Sequence, residues 1–297
     1  MYIEIAKICG LCAGATKALN TARDMISQGK RVVLYKELLH NPLVMQGLVE
    51  SARLTENIDD ICTDEHVIIR AHGEPKSTYD YLDSKGIEYS DCICVNVKNI
   101  QRLVYDKSND GYRVVIIGKY GKGKKPMHPE VYGLCGWCDS PILIQDEDDI
   151  SKIECDSSDR YFVVCQTTFP MDKAEVLFDK IVSVVSGKGK DVSIKNTICN
   201  GQKMINESSV ELAKRSDLMI VVGGKHSSNS IELYNNVSQY TKTIFIEYID
   251  EIEDALRGIG IEHIPSDYRV GITAGASTER VVLDNLKIEL MKKEKVC

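Results

Sequence analysis

Short apolar runs rich in valine and isoleucine recur along the chain, and polar or glycine-rich loops follow most of them. Two such runs fall in each third of the 297 residues, at positions 31–35 and 66–70, 114–117 and 161–165, and 218–222 and 269–273. Continuous apolar runs that end in polar loops are typical of buried parallel strands. The pattern therefore predicts six strands that carry functional loops at their carboxyl ends.

Helical periodicity fills the stretches between these strands. Residues 15–28 place Ala18, Ala22 and Met25 on one face, and residues 174–186 repeat the pattern. Alternating strands and helices indicate an α/β fold, whose ligands collect outside the carboxyl ends of the strands. We therefore predict three small α/β lobes with mainly parallel sheets in a pseudo-threefold arrangement around a common centre.

The predicted lobes are residues 1–95, 96–196 and 197–297, the last with a C-terminal helix. One cysteine in a small or polar context stands near the start of each third, at Cys12, Cys94 and Cys199. One thiolate from each lobe would reach the common centre. A single cysteine in such a place is as readily a small buried side chain, so the spacing alone leaves both readings open.

Composition narrows the class of protein. The net charge of −7 comes from interspersed acidic and basic residues, so we expect no nucleic-acid partner. No apolar run approaches the roughly 18 residues that span a bilayer, and no secretion signal is evident, which predicts a cytoplasmic protein without membrane association. Eleven cysteines in a reducing compartment favour metal binding over a disulfide framework.

Nine short motifs are spread along the chain: Gly-Leu-Cys-Ala-Gly at 10–14, Leu-His-Asn-Pro at 39–42, Ala-His-Gly at 71–73, Asp-x-x-Cys at 91–94, His-Pro-Glu-Val at 128–131, Gln-Thr-Thr at 166–168, Thr-Ile-Cys at 197–199, Lys-His-Ser-Ser-Asn-Ser at 225–230 and Thr-Ala-Gly-Ala-Ser at 273–277. With these motifs in this order, the sequence between positions 7 and 278 resembles the 4-hydroxy-3-methylbut-2-enyl diphosphate reductases of the LytB/IspH family. Each motif is weak alone, but nine in order are specific.

The resemblance implies that Cys12, Cys94 and Cys199 hold a central [4Fe–4S] cluster. Three thiolates leave one iron without a protein ligand, free to take the substrate oxygen. The resemblance also implies a ring of donors for an allylic diphosphate, formed by His40, His72, Ser227, Ser228, Asn229 and Ser277. By the same resemblance Glu130 is the general acid, His128 relays or orients the proton, and Thr167 orders the hydroxyl and its water.

The implied activity is reductive dehydroxylation to isopentenyl and dimethylallyl diphosphate, with electrons from a ferredoxin or flavodoxin. One alternative is a diverged iron–sulfur paralogue with another substrate, suggested by the lysine-rich stretch at 119–127, which is longer than the family's loop. Another is a binding module without turnover, either metal-free or with zinc held by Cys9-x-x-Cys12 and Cys135-x-x-Cys138.

Overall fold

The computed structural model describes residues 1–39, 42–122, 126–225, 227–276 and 278–294, and the side chains of residues 42, 43, 228, 293 and 294 lie outside this description. The strands within these residues are β1 (Tyr2–Ile5), β2 (Val32–Tyr35), β3 (Arg53–Thr55), β4 (His66–Ile69), β5 (Glu88–Asp91), β6 (Arg113–Ile117), β7 (Ile142–Ile144), β8 (Arg160–Cys165), β9 (Asp191–Lys195), β10 (Leu218–Val222), β11 (Lys242–Ile246) and β12 (Arg269–Ala274). The α-helices are α1 (Ala13–Ser27), α2 (Pro42–Val49), α3 (Lys76–Lys85), α4 (Val95–Asn109), α5 (Pro129–Cys135), α6 (Ser151–Glu154), α7 (Met171–Gly187), α8 (Gly201–Ala213), α9 (Ser228–Ser238), α10 (Ile252–Gly258) and α11 (Arg280–Glu294).

These strands form three four-stranded sheets in which the paired strands run parallel. The first sheet has the order β3-β2-β4-β5, the second β7-β6-β8-β9 and the third β1-β12-β10-β11. An α/β fold with three parallel sheets is therefore confirmed. The six predicted strands are the two central strands of each sheet, because only these are buried on both faces and read as continuous apolar runs.

Strand β1 pairs outside the predicted lobe in which its residues lie. Strand β1 lies within residues 1–95, yet it pairs with β12, with Tyr2 opposite Arg269 and Ile5 opposite Ile272. The third sheet therefore takes an edge strand from the start of the chain, and the burial of Ile3 in the core of that sheet provides the reason. The boundaries near residues 95 and 196 otherwise stay a prediction.

The chain divides into two compact units, and each contains complete sheets. One unit comprises Met1–Thr16, Leu39–Met45 and Asn200–Cys297 and contains the third sheet, with helices on both of its faces. The other comprises Lys17–Leu38 and Gln46–Cys199 and contains the first and second sheets. In the second sheet, α7 covers one face while α4 and α5 cover the other. Among the described residues, no helix is both long and apolar enough to cross a bilayer.

Candidate functional site

Helix α5 begins at the His-Pro-Glu motif. His128 is the N-cap residue, and its Nδ1 accepts a hydrogen bond from the backbone N–H of Glu130 at 3.2 Å. An accepting Nδ1 carries no hydrogen, so the neutral ring of His128 has its proton on Nε2. The ring of His72 lies edge-on to that of His128, with centroids 5.5 Å apart. The structure thus places two predicted site histidines side by side.

The carboxylate of Glu130 is almost fully enclosed, and Thr167 is its one hydrogen-bond partner among the residues that the structure describes. Glu130 is 1% exposed and Thr167 is 6% exposed. The backbone N–H of Thr167 donates to Oε1 of Glu130 at 2.6 Å, and its Oγ1 donates to Oε2 at 2.6 Å. These residues are 37 positions apart, and they meet because β6 and β8 are neighbours whose following segments share one edge of the second sheet.

Burial raises the pKa of Glu130 to about 7, while the two hydrogen bonds from Thr167 act in the opposite direction. A carboxyl group loses the solvation of its charged form when it is buried, so the neutral form persists to higher pH. Glu130 therefore exchanges its proton near neutral pH. A general acid is most effective when its pKa lies close to the operating pH.

Glycines bring the loop after β4 close to α5. A Cβ on Gly133 would lie 3.2 Å from the carbonyl oxygen of Gly73, and Gly73 has a φ of +74° that favours glycine. A Cβ on Gly118 would lie 2.6 Å from Cγ2 of Val131. Helix α5 thus packs directly on the segment that carries His72, and a larger side chain at Gly133 would press against that segment.

A buried ion cluster beside His72 was not anticipated from the sequence. Glu74 is fully buried and accepts from Nε of Arg70 at 2.8 Å and from Nζ of Lys36 at 2.7 Å. The ammonium group of Lys36 also lies 4.7 Å from the ring centre of Tyr132 on α5. The one available signal was Arg70, a charge placed directly after a strand that is otherwise apolar.

The three predicted ligand cysteines occupy equivalent places at the starts of helices. The carbonyl of Cys12 accepts the Thr16 N–H as α1 begins, Cys94 is the N-cap of α4, and Cys199 immediately precedes the N-cap of α8. All three are reduced cysteines with partial or full exposure, unlike the buried Cys92 and Cys165. Helix N-termini favour thiolates and other anions, so these thiols fit an anionic iron–sulfur cluster.

Cys199 is also connected to the acid site, since its backbone N–H donates to the carbonyl oxygen of Thr167 at 2.8 Å. Among the residues that the structure describes, no three His, Cys, Asp or Glu side chains group closely enough to hold one metal ion. The four-thiolate zinc alternative therefore gains no support. The thiolates of a cubane each bind a different iron, so they need not converge on a single point.

Two of the predicted anion-binding residues, Ser227 and Asn229, lie at the start of α9. Ser227 caps α9, with its Oγ accepting from the Ser230 N–H at 3.4 Å, and Asn229 is half-buried in the first turn. Ser230 is fully buried against Gly223 and Gly275, where a Cβ would approach its Oγ to 2.4 and 2.3 Å. His40, Ser277 and the side chain of Ser228 lie outside the described residues.

Comparison with known proteins identifies the family of the chain. The family model described as LytB protein matches residues 3–291. The chain belongs to the LytB family. A LytB-family relative from Clostridioides difficile (strain 630), named 4-hydroxy-3-methylbut-2-enyl diphosphate reductase, is 35% identical over 289 residues, which cover 96% of this chain and 98% of the relative. A protein of the same name from Thermoanaerobacter sp. (strain X514) is 34% identical over 301 residues, with 99% of each chain covered.

Two solved structures resemble this LytB chain. That of (E)-4-hydroxy-3-methyl-but-2-enyl diphosphate reductase, described as the terminal enzyme of the non-mevalonate pathway, is 29% identical with a TM-score of 0.79, covering 98% of this chain and 100% of that one. The E-1-hydroxy-2-methyl-but-2-enyl-4-diphosphate reductase from Plasmodium falciparum is 20% identical with a TM-score of 0.74, covering 97% and 87%. The second likeness shows the fold alone.

Proposed function

We propose that this chain is a [4Fe–4S]-dependent 4-hydroxy-3-methylbut-2-enyl diphosphate reductase that catalyses the last step of non-mevalonate isoprenoid synthesis. Two electrons and two protons convert the allylic alcohol to isopentenyl or dimethylallyl diphosphate and release one water. The observation that carries the proposal is the buried carboxyl of Glu130, with a pKa near 7 and a direct contact to Thr167, in a chain of the LytB family. Loss of the C–O bond requires such a proton source.

The cluster would be held by Cys12, Cys94 and Cys199. When bound, it supplies the two reducing electrons and an iron that acts as a Lewis acid toward the departing oxygen. The position of each cysteine at a helix start stabilises the thiolate form. The bond from the Cys199 N–H to the Thr167 carbonyl fixes one ligand relative to the proton donor.

The proton would travel from Glu130 through the hydroxyl of Thr167. The two oxygens are 2.6 Å apart, so when Glu130 is protonated its O–H can donate to Oγ1 of Thr167. The hydroxyl of Thr167 then passes its own proton to the leaving oxygen. Glu130 need not touch the substrate in this scheme, which agrees with its almost complete burial. His128, with Nε2 as the protonated nitrogen, orients the start of α5 and the neighbouring His72.

The diphosphate would bind to His72, Ser227 and Asn229, together with His40, Ser228 and Ser277 as the family resemblance implies. Helix N-termini such as that of α9 present backbone N–H groups to anions. The ion cluster beside His72 adds to this preference, since two cations, Lys36 and Arg70, share the single carboxylate of Glu74. These three side chains therefore carry a net charge of +1, and Arg70 and Glu74 lie close to His72 in the sequence. Because the three side chains are mostly buried, solvent screens this charge only weakly.

The electron donor, a ferredoxin or flavodoxin, and the cytoplasmic location stay predictions. The lysines of the stretch at 119–127 have the charge that an acidic electron donor or a larger anion would require. In the part of it that the structure describes, Lys122 forms ion pairs with Asp146 and with the buried Asp149. That lysine serves to anchor the loop, which weakens the argument for a different substrate.

Anaerobic turnover of 4-hydroxy-3-methylbut-2-enyl diphosphate, with iron and sulfide counts, tests the proposal. Cys12→Ser, Cys94→Ser and Cys199→Ser should each lose most of the iron and the turnover. Cys62→Ser and Cys155→Ser, at exposed positions, are matched controls that should keep both. A full cluster in the parent protein without turnover of this substrate would favour the paralogue instead. Equal iron content in all five variants would contradict the ligand assignment.

A further inference from the structure

The Cys135-Gly136-Trp137-Cys138 sequence has no role in the proposed reaction, yet the structure gives it a defined place. Cys135 is the last residue of α5, and Gly136 and Trp137 form the turn that separates the two cysteines. The N–H groups of Gly136 and Trp137 donate to the carbonyls of Gly133 and Leu134 at 3.1 and 3.0 Å. Both thiols are free and half-buried.

Cys135 ends α5, and Cys138 follows it by three residues. Sγ of Cys138 folds back to the carbonyl oxygen of Leu134 at 3.6 Å, in the last turn of the helix that also holds Cys135. Residues separated by a two-residue turn lie within about 7 Å of each other at Cα, and disulfides require a Cα separation of about 4.4–6.8 Å. A bond between these cysteines therefore needs only a small local adjustment.

This turn also contacts the segment that carries His72. The indole N–H of Trp137 donates to the carbonyl oxygen of Glu74 at 2.9 Å. A Cβ added to Gly136 would lie 2.3 Å from Cβ of Pro75, which shows how closely the turn packs on the loop after β4. Any change in the turn is therefore transmitted to Glu74 and Pro75, and through them to Gly73 and His72.

We propose that Cys135 and Cys138 are a redox-modification site, a dithiol that a low-molecular-mass disulfide oxidises to an intramolecular disulfide, and that this bond shifts the 72–75 loop. One thiolate attacks the small disulfide, forms a mixed disulfide and releases one thiol. The other cysteine then displaces the second thiol. The two protein thiols lose two hydrogen atoms, and the small disulfide takes up both and becomes two thiols. Electrons and protons therefore balance.

Burial of the two thiols slows this exchange but does not destabilise the disulfide that it forms. It raises the pKa of Cys135 to about 11 and that of Cys138 to about 12, with the nearby Cys135 adding to the effect on Cys138. Attack requires a thiolate, so exchange is slow at neutral pH and its rate should rise about tenfold per pH unit between pH 7 and 9. The disulfide carries no charge and suits a half-buried apolar turn.

The chain's single tryptophan lies between the two cysteines and provides a direct readout. The full chain is incubated anaerobically with oxidised glutathione at several pH values. Trp137 fluorescence, the mass of the peptide that contains both cysteines, and hydrogen exchange in residues 72–76 are followed together. Cys135→Ser and Cys138→Ser each remove one partner, while Cys62→Ser and Cys155→Ser are controls at exposed cysteines. Circular dichroism checks that every variant folds.

The expected result is loss of two hydrogens from the peptide, a fall in Trp137 fluorescence and a change in exchange of the 72–76 amides. All three should be absent in Cys135→Ser and Cys138→Ser and present in both controls. A glutathione adduct that persists without closure, or two thiols that stay open to alkylation at pH 9, would overturn the proposal. Disulfide formation without any change at residues 72–76 would overturn the transmission to His72. Mass mapping of the unsubstituted chain shows whether the disulfide forms, even if a variant does not fold.

Discussion

Two carboxylates beside the second sheet are nearly inaccessible to solvent, yet their environments shift their pKa values in opposite directions. Glu130 is 1% exposed and Asp149 is 4% exposed. The pKa of Glu130 rises to about 7 because burial dominates. Burial also raises the pKa of Asp149, but hydrogen bonds and cations outweigh it and hold the value well below the usual range.

The difference comes from the number and charge of the donors. Within the described part of the chain, Glu130 accepts hydrogen bonds from Thr167 alone. Asp149 accepts from Tyr120 Oη and the Gln145 N–H, both at 2.7 Å, and lies 2.9 and 3.3 Å from the ammonium groups of Lys152 and Lys122. Cations and multiple donors keep a buried carboxylate ionised, whereas sparse neutral donors leave it ready to take up a proton. The environment of Asp149 thus suits an anchor, and that of Glu130 suits the proposed general acid.

The largest effect, a loss of turnover, should come from substitution of Glu130. Glu130→Gln removes the transferable proton, so turnover should fall by about 10²–10⁴-fold while KM changes little. Asp149→Asn should keep turnover within about threefold of the parent, because it alters an anchor without removing a proton donor. Anaerobic kinetics with a cluster count for each variant measure this. Comparable losses in the two variants would remove the distinction between acid and anchor.

The stability of the parent relative to Glu130→Gln should depend on pH. The ordinary pKa of Glu130 is 4.5 and the folded value is about 7, so the folded state binds a proton more tightly between these values. Relative stability is therefore greatest below pH 5 and declines by up to roughly 3 kcal/mol as pH rises to 8. Thermal midpoints of both proteins from pH 5 to 8 provide the measurement. A constant difference would show that Glu130 is ionised throughout.

Asp149→Asn should destabilise the chain by about 1–3 kcal/mol at pH 7, since partners of a buried charged group lose their hydrogen bonds. The pH dependence is opposite to that of Glu130. Because the pKa of Asp149 is lowered in the folded state, its contribution to stability is present above the ordinary value of 3.8 and is lost as pH falls below it. Urea midpoints at pH 7 and near pH 3.5 should therefore differ in their sensitivity to the substitution. Asp148→Asn, at an exposed neighbour, should be neutral at both pH values.

The smallest effect should follow removal of one donor from the anchor. Tyr120→Phe deletes the hydroxyl that bonds Asp149 at 2.7 Å and should cost about 1 kcal/mol. Tyr248→Phe, at an exposed tyrosine, is the matched control and should leave the urea midpoint unchanged. If Tyr120→Phe also proves neutral, the remaining donors of Asp149 are sufficient to hold the loop.

Sequence reasoning found the strands that are buried on both faces and missed those at the sheet edges. Strand β9 reads Asp-Val-Ser-Ile-Lys and alternates between exposed and half-buried positions, so it lacks the continuous apolar run that marks β8. Local sequence patterns also could not predict which residues contact each other in the site. The contact of Glu130 with Thr167 and that of Gly133 with Gly73 join distant segments. Motif order indicated the residues, but only the packed sheets show which side chains meet.

The pairing of β1 with β12 has a consequence for synthesis. The first strand leaves the ribosome early, but the strand it pairs with ends at Ala274. At about 5–20 residues per second, the first and second sheets can form while β1 waits for its partner. The loop that carries Cys12 is bonded to the segment after β12, through the Leu11 N–H and the Thr278 carbonyl. Cys12 is therefore fixed in place only after β12 and Thr278 have emerged, so insertion of the proposed cluster is expected to follow synthesis of that segment.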